Sequence, residues 1–528
     1  MTTPPNTSHK QDKPASLGRS GSIVAIMTLL SRVLGFVRDQ VLAIVFGAGA
    51  TTDVFLVAFK IPNFLRRLFA EGAFAQAFIP VFTEYRETGD KAALRELAAH
   101  VVGTLTVILL VITTLCVMFA PFIVMLFAPG FVGNPEQFEL ATHMLRITFP
   151  YLLAVSLVAY AGSILNTFGQ FAIPSLTPVL LNICMISAAL FVSPWFDKPI
   201  VALAWGVFAA GVLQLALQIP FLQRLGLLPK PRWGWKHSGV RRILKLMAPA
   251  IVGSSVAQIN LLLDTVIATF LVSGSLSWLY YSDRLMEFPL GLIGVTLGTI
   301  ILPRLSREYT NNAEAGYRNT ITWALRITIL LALPATVGLI TLAGPLLTTL
   351  FEYGAFTAKD TYLSSFSLVA YSIGIPAFVV IKIFAPAFFA RQDTKTPVRI
   401  GIVALISNMV YNLLFVLPMV WLEFIAPHTG LALATTASAV QQAWMLYREL
   451  HKRGLYNIDK ALVSLLLRTL PALIAMGIAL LVMQNIDWHI LTASERVTRL
   501  LTTIVVGAGT YAVALLLCGV RPNDLKSP

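Results

Sequence analysis

Long apolar runs dominate this sequence. They recur from residue 20 to residue 519, and several extend over about 20 residues, the length that a helix needs to cross ~30 Å of hydrocarbon. Only 12% of the 528 residues are charged, whereas about a quarter are charged in soluble domains. The short alternating segments of a membrane β-barrel are not seen. The pattern predicts an all-α polytopic membrane protein.

Fourteen apolar segments can be delimited in the chain. They run over 20–48, 53–83, 98–127, 140–165, 172–193, 199–222, 242–272, 276–303, 319–349, 361–390, 398–420, 426–447, 461–483 and 497–519. If the N-terminus lies in the cytoplasm, the tails and loops on that side hold 25 Lys and Arg residues and the opposite side holds four. The four are Lys198, Lys359, Arg496 and Arg499. This asymmetry predicts fourteen transmembrane helices with both termini in the cytoplasm.

The net charge of +14 has the same explanation, because most basic residues lie at the ends of the apolar runs. It therefore does not predict nucleic-acid binding. Cys116, Cys184 and Cys518 are far apart within apolar runs and predict neither a disulfide framework nor a metal site. The chain has no G-x-x-x-x-G-K-[ST] and no H-E-x-x-H motif. Uphill transport would therefore draw on an ion gradient, the membrane potential or downstream consumption.

The two halves of the chain resemble each other weakly. "RDQVLAIVFGAGATTD" (38–53) aligns with "LDTVIATFLVSGSLSW" (263–278) at an offset of 225, and Pro80 matches Pro303 at an offset of 223. Six segments followed by six in the same orientation predict a parallel repeat, with the substrate bound between two lobes. The predicted divisions are a disordered cytoplasmic tail (1–19), an N-lobe (20–225), a basic linker (226–241), a C-lobe (242–453) and a final pair of helices with the C-terminal tail (454–528).

Charged residues cluster inside segments 1, 2 and 8, although a charge at the bilayer centre costs ~3 kcal/mol or more. The polar residues of these segments are Ser31, Arg32, Arg38, Asp39, Asp53, Lys60, Asn63, Arg66, Arg67, Glu71, Asp283, Arg284 and Glu287. Residues seven apart share a helix face, which places Ser31 with Arg38. The charges could pair only with one another, as Arg67 and Glu71 could at i,i+4. They could instead line a cationic cavity, which we favour because three separate segments carry arginines.

Arginine suits bidentate binding of phosphate or carboxylate, so this cavity would take an anionic headgroup such as a pyrophosphate. The carboxylates of Asp39, Asp53 and Glu287 could position the arginines or take part in gating. A second polar set comprises Asp264, Asn408, Asn412 and the neighbours Thr435 and Thr436. Its oxygen atoms could hold Na⁺, and ordinary interhelical hydrogen bonding explains the same residues equally well.

Four motifs are similar to those of the MurJ (MviN) family, the lipid II flippases of the multidrug/oligosaccharidyl-lipid/polysaccharide exporter superfamily. The motifs are "SRVLGFVRD", "TDVFLVAFKIPNFLRRLFAEGAFAQAFIP", "WLYYSDRLMEFPLGLIGVTLGTIILP" and "RQDTKTPVRI". The resemblance implies fourteen helices, two lobes and a polyprenyl-tail groove formed by the last two helices. It implies alternating access in the cytoplasmic (inner) membrane, with lipid II as the substrate and membrane lipids as surroundings. Whether the protein is monomeric or associates with the cell-wall synthesis machinery stays open.

The resemblance also implies roles for individual residues. Arg32, Arg38, Arg66 and Arg284 would bind the diphosphate, and Ser31, Asp39, Asp53, Asn63 and Glu287 would support or gate the cavity. Some members bind Na⁺, and Asp264, Asn408, Asn412 and Thr435 resemble that site, whereas no other cofactor is implied. Asn412 makes it less anionic than a site with a second carboxylate.

Two other kinds of protein are alternatives to a lipid II flippase. Another transporter of the superfamily would be a polysaccharide-lipid exporter or a drug/cation antiporter, and an antiporter would rather show acidic and aromatic cavity walls. A membrane-embedded transferase would need a catalytic set at a membrane face, but the charges here lie within the apolar segments.

Overall fold

The computed structural model describes residues 17–67, 73–228 and 230–521, and within these ranges the regular structure is entirely helical. The helices of the first half are α1 (Leu17–Phe46), α2 (Ala50–Leu65), α3 (Ala75–Glu87), α4 (Lys91–Met118), α5 (Ala120–Phe127), α6 (Pro135–Thr148), α7 (Tyr151–Thr167), α8 (Ala172–Ser187) and α9 (Val201–Arg224). Those of the second half are α10 (Ser238–Ala268), α11 (Ser275–Thr310), α12 (Glu314–Ile327), α13 (Leu333–Thr341), α14 (Ala343–Phe351), α15 (Ala358–Ile373), α16 (Ile375–Ala390), α17 (Lys395–Trp421) and α18 (Thr429–Lys452). The last two are α19 (Lys460–Gln484) and α20 (Ala493–Leu517).

Each of the fourteen predicted segments coincides with one helix or with a succession of helices. Ten helical stretches in the described part are long and apolar enough to cross a membrane. The helices of segments 1, 2, 7 and 12 are not among these ten, and segments 1 and 2 contain the charged clusters. The chain is therefore an all-helical multi-pass membrane protein, as predicted, while the count of fourteen spans stays a prediction.

The predicted repeat has counterparts in helix geometry. Segment 3 breaks at Phe119, with φ −95° and ψ 21°, and segment 9 breaks at Leu342, with φ −100° and ψ 17°. These residues are 223 positions apart, the same offset as Pro80 and Pro303. The packing partners also correspond, since α1 packs on α8 as α10 packs on α17, and α7 packs on α9 as α16 packs on α18. The two halves therefore share a local break and a packing scheme.

The boundaries at the tail and the linker differ from the prediction. Helix α1 already begins at Leu17, inside the predicted tail of 1–19, whose first 16 residues lie outside the described part. Helix α10 begins at Ser238, inside the predicted linker of 226–241. The reason is a cap, because the backbone N–H of Gly239 donates to Nδ1 of His237 at 3.2 Å.

The linker between the halves is packed against α4. The backbone N–H of Arg232 donates to the carbonyl of Ala99 at 3.0 Å, and the N–H of Gly234 donates to Oγ1 of Thr104 at 3.1 Å. The N-terminal part of α10 continues along α3 and α4, whereas α10 also packs on α17 of the second half. Helix α10 therefore contacts both halves of the molecule.

The last two helices dock on the second half. Helix α19 packs on α13, and α20 packs on α14. Arg496 of α20 fixes this arrangement, since its guanidinium donates to the carbonyls of Glu352 and His489 at 3.0 Å each and to that of Trp488 at 3.1 Å. The acceptors lie on two stretches of chain, the turn between α19 and α20 and the residue after α14, so one buried cation ties the helix pair to the second half.

Candidate functional site

Arg38 and Asp39 lie side by side in α1 and are almost fully buried, with 7% and 2% of their surface exposed. Arg38 donates from Nε and Nη2 to Oδ1 of Asp39 at 2.9 and 2.7 Å. Its Nη1 donates to Oδ1 of Asn182 in α8 at 3.1 Å. Asn182 in turn donates from Nδ2 to the carbonyl of Ser31 at 3.1 Å. Asn182 thus bridges the two polar levels of α1 that the spacing predicts.

Helix α11 of the second half completes this network. The hydroxyl of Tyr280 donates to Oδ1 of Asp39 at 2.6 Å and accepts from Nη2 of Arg38 at 3.1 Å. Nε of Arg284 lies 3.1 Å from Oδ2 of Asp39, and its Nη1 lies 2.8 Å from Oε2 of Glu287. The guanidinium carbon of Arg284 also lies 5.0 Å from the centre of the Tyr280 ring. One buried carboxylate therefore holds two arginines that come from opposite halves.

Arg32 of α1 and Lys382 of α16 lie over two glycines of α11. A Cβ atom added at Gly291 would lie 2.9 Å from Nη1 of Arg32, and one at Gly294 would lie 2.8 Å from Cδ of Lys382. A side chain at either position would therefore displace the cation above it from this close approach to the helix. Arg32 is exposed and Lys382 is half-buried.

Arg66 makes a separate contact at the end of α2. Its Nε donates to Oδ1 of Asn63 at 2.8 Å. The helix passes there into a π-helical turn at 66–67, just before the undescribed residues 68–72. The predicted pair of Arg67 with Glu71 falls partly outside the described residues.

Asp53 of α2 joins the two halves at the other end of α1 and α11. Its carboxylate accepts from the backbone N–H of Gly274 at 2.6 Å and from that of Ser277 at 2.8 Å. The hydroxyl of Ser277 donates to the same carboxylate at 2.5 Å. An acidic side chain is stabilising at a helix N-terminus, so Asp53 caps α11 across the interface between the halves.

The structure brings the residues of the second polar set together. Nδ2 of Asn412 donates to Oδ1 of Asp264 at 2.8 Å and to Oδ1 of Asn408 at 3.1 Å. The side chain of Thr435 also faces Asp264. Thr436 instead donates to a backbone carbonyl of α15 at 2.8 Å, which leaves Thr435 as the threonine of this set.

Three members of the charged region have little or no signal in the sequence. Asn182 and Tyr280 lie in apolar surroundings of α8 and α11, and only the fold shows that they contact Arg38. Lys382 is a lone lysine within an apolar segment, and such a residue carries no information about its partners. For Lys60 of α2 the sequence indicates a charge but no role, and in the structure this lysine lies within electrostatic reach of Asp264.

Comparison with known proteins gives consistent matches. A family model described as "Lipid II flippase MurJ" matches residues 42–498. The chain is 48% identical to the probable lipid II flippase MurJ of Haemophilus influenzae, with 94% of this chain and 99% of that protein covered. It is 39% identical to the lipid II flippase MurJ of Burkholderia cenocepacia, with 96% of this chain and 98% of that protein covered.

Solved structures agree with these matches. A lipid II flippase MurJ in an inward closed conformation superposes with a TM-score of 0.78 at 27% identity, covering 94% of this chain and 98% of that one. An inward-facing multidrug resistance transporter, described as a MATE family member of the MOP superfamily, has a TM-score of 0.63 at 14% identity, with 82% of this chain and 98% of that one covered, which shows a shared fold alone. The chain therefore belongs to the MurJ family of lipid II flippases.

Proposed function

We propose that this protein carries lipid II, the undecaprenyl-diphosphate-linked peptidoglycan precursor, from the cytoplasmic to the periplasmic leaflet of the inner membrane. It is a transporter and makes or breaks no covalent bond of the substrate. Both termini lie in the cytoplasm, as the excess of basic residues on one side predicts. The family match and the 48% identity over nearly the whole chain support this function.

The contact between Asp39 and Arg284 is the observation that carries the proposed mechanism. A carboxylate of α1 and a guanidinium of α11 meet at 3.1 Å inside a membrane protein, where ionisable groups usually mark a substrate pathway. An incoming diphosphate competes with Asp39 for the same guanidinium. Binding of the headgroup then loosens a contact between the two halves, which couples substrate binding to their relative motion.

In the proposed transport cycle, Asp53 holds the two halves together on the periplasmic side. We call its contacts with the first turn of α11 the periplasmic latch. It holds the first turn of α11 through Gly274 and Ser277, and these contacts exist only while the two halves are together on that side. Alternating access requires this latch to open when the headgroup leaves towards the periplasm. The closed latch agrees with the inward closed conformation of the related MurJ structure.

A sodium ion fits the chemistry of the set around Asp264. The residues that would hold it are Asp264, Asn408, Asn412 and Thr435, which offer one carboxylate and neutral oxygens, the hard ligands that alkali cations prefer. Oδ1 of Asn412 is buried without a hydrogen-bond partner in the described part, so this neutral oxygen has a lone pair to offer a cation. The ion would supply a charge that is bound in one conformation and released in another.

Depletion in cells tests the proposed function. Loss of the protein should make lipid II accumulate on the cytoplasmic face, followed by lysis, and expression of the intact chain should reverse both effects. Accumulation of a different lipid-linked glycan, with normal lipid II, would instead identify a polysaccharide-lipid exporter.

A further inference from the structure

Arg496 is a buried cation on the side of the membrane where basic residues are rare. It is one of four Lys and Arg residues on the periplasmic side in the proposed topology, and only 7% of its surface is exposed. Basic residues are selected against on that side, and a buried charge is costly unless it is paired and hydrogen-bonded. A surface charge that serves solubility would not be buried in this way, so Arg496 has a structural partner to hold.

That partner is the segment 352–356, which connects α14 with α15. Nη1 of Arg496 donates to the carbonyl of Glu352 at 3.0 Å and to that of Thr348 at 3.3 Å. Nη2 of Arg496 lies 3.5 Å from Oε1 of Glu352, and Nδ1 of His489 lies 2.7 Å from the same oxygen. Helix α20 and the turn before it therefore hold both the backbone and the side chain of Glu352.

The same segment contacts the end of α1, which belongs to the first half. The backbone N–H of Ala355 donates to the carbonyl of Ile44 at 2.8 Å. Just before the segment, the carbonyl of Leu350 accepts from Nε2 of Gln40 at 3.1 Å. Segment 352–356 is thus held by the last helix pair at its first residue and by the first half three residues later.

Two glycines allow the two backbones to approach so closely. A Cβ atom added at Gly354 would clash with the carbonyl oxygen of Ile44, and one added at Gly47 would clash with the carbonyl oxygen of Ala355. Both glycines have positive φ angles, +60° and +67°, which glycine adopts without steric cost. Because this fit leaves no room for a side chain, the contact with α1 depends on the path of segment 352–356.

We propose that Arg496 is a positioning residue for lipid II transport, which fixes segment 352–356 in the conformation that receives the end of α1. This inference rests on the proposed function, in which the two halves meet on the periplasmic side and later separate there. In the described part, the hydrogen bonds of Arg496 go to the second half and to the turn before α20, so it acts on α1 through the backbone of the segment. The last helix pair, which has no counterpart in the repeat, thereby takes part in closing the periplasmic side.

Distances between spin labels at Thr51→Cys and Lys359→Cys test this role in the full-length protein in lipid nanodiscs, in a background without the three native cysteines. Both positions are exposed, and they lie at the starts of α2 and α15, on opposite sides of the contact. Arg496→Gln should lower the ratio of molecules with the short distance to molecules with the long distance about fivefold or more, because hydrogen bonds of a charged group are lost. Arg499→Gln, at an exposed position three residues further along α20, is the matched control and should leave the ratio unchanged.

Two further variants separate positioning of the segment from general support of the fold. Arg496→Lys keeps the buried charge, but one ammonium group cannot replace the planar guanidinium at carbonyls on two stretches of chain, so we expect a smaller shift in the same direction. Gly354→Ala breaks the contact with Ile44 directly. If Arg496 acts through this contact, adding Arg496→Gln to Gly354→Ala should change the ratio by less than about twofold. A further drop as large as that of Arg496→Gln alone would overturn the proposal.

Equal distance distributions in Arg496→Gln, Arg496→Lys and the control would also overturn the positioning role, while leaving the flippase function intact. Lipid II exposed at the periplasmic face of depleted cells is the second measurement, and Arg496→Gln should restore less of it than Arg499→Gln at equal abundance. Failure of the unchanged protein to restore this exposure would instead contradict the proposed function itself, whatever the distances show.

Discussion

Asp39 and Arg284 come from opposite halves of the molecule, and Oδ2 of Asp39 lies 3.1 Å from Nε of Arg284. Asp39 also accepts from Arg38, so one carboxylate is shared between a guanidinium of its own helix and one of the facing half. The contact between Asp39 and Arg284 breaks whenever the two halves separate. In the proposed mechanism, the charge of the substrate acts on the movement of the two halves through this shared carboxylate.

Tyr280→Phe should slow lipid II translocation without preventing insertion or folding. The change removes the hydroxyl that donates to Asp39 at 2.6 Å and accepts from Arg38 at 3.1 Å, but it keeps the ring beneath Arg284. We expect a several-fold lower rate at equal protein abundance, measured as lipid II arriving in the periplasmic leaflet. An unchanged rate would show that this hydroxyl does not organise the network.

Asp53→Asn should weaken the periplasmic latch. The neutral amide no longer offers a carboxylate to Gly274 and Ser277 at the start of α11. Spin labels at Val132→Cys and Lys359→Cys, in a background without the three native cysteines, should then report longer distances in the absence of substrate. Ser277→Ala removes only one of the hydrogen bonds and should give a smaller shift. Identical distance distributions in all three proteins would argue against a latch.

Asn412→Asp should tighten Na⁺ binding at the set around Asp264. The second carboxylate replaces an amide that now donates to Asp264 at 2.8 Å, and it adds negative charge beside that residue. The midpoint of Na⁺-dependent thermal stabilisation, with K⁺ as the reference cation, should fall by about tenfold or more. If the variant and the unchanged protein respond alike to Na⁺, this set is an ordinary interhelical hydrogen-bond cluster.

Asp393→Asn should destabilise the N-terminal end of α17. Hydrogen bonds from Thr396, assisted by Arg453, lower the pKa of Asp393 to about 2. Because this pKa is depressed, the carboxylate stabilises the fold above pH ~4, its unfolded pKa, and the effect disappears as pH falls towards 2. The melting temperature of the variant should therefore lie below that of the unchanged protein at pH 7. The difference should shrink on acidification, and a constant difference would contradict the charge-based explanation.

Much of the architecture could be predicted from the sequence, because apolar length and basic loop residues are local properties. The position of Ser31 and Arg38 on one helix face also follows from spacing alone. In the structure, Asn182 contacts both residues, since it accepts from Arg38 and donates to the carbonyl of Ser31. The start of α10 could not be placed correctly, since the cap by His237 depends on a side-chain conformation.

The composition of the charged region was only partly predictable. The arginines of segments 1 and 8 stand out because charge is rare in apolar runs, and Arg38 and Arg284 do share Asp39. Lys382 and Tyr280 could not be assigned, because their partners lie about 90 and 240 residues away along the chain. Such contacts depend on how α11 and α16 pack, which no local pattern encodes.

The most direct test of the shared carboxylate is the movement of lipid II itself. In cells depleted of their own flippase, the fraction of lipid II exposed at the periplasmic face should be restored by the unchanged protein. Arg284→Ala should insert at equal abundance and leave that fraction near the depleted level, whereas Arg468→Ala, an exposed position on α19, should restore it. Normal exposure of lipid II with Arg284→Ala would contradict a role for the Asp39–Arg284 contact in transport.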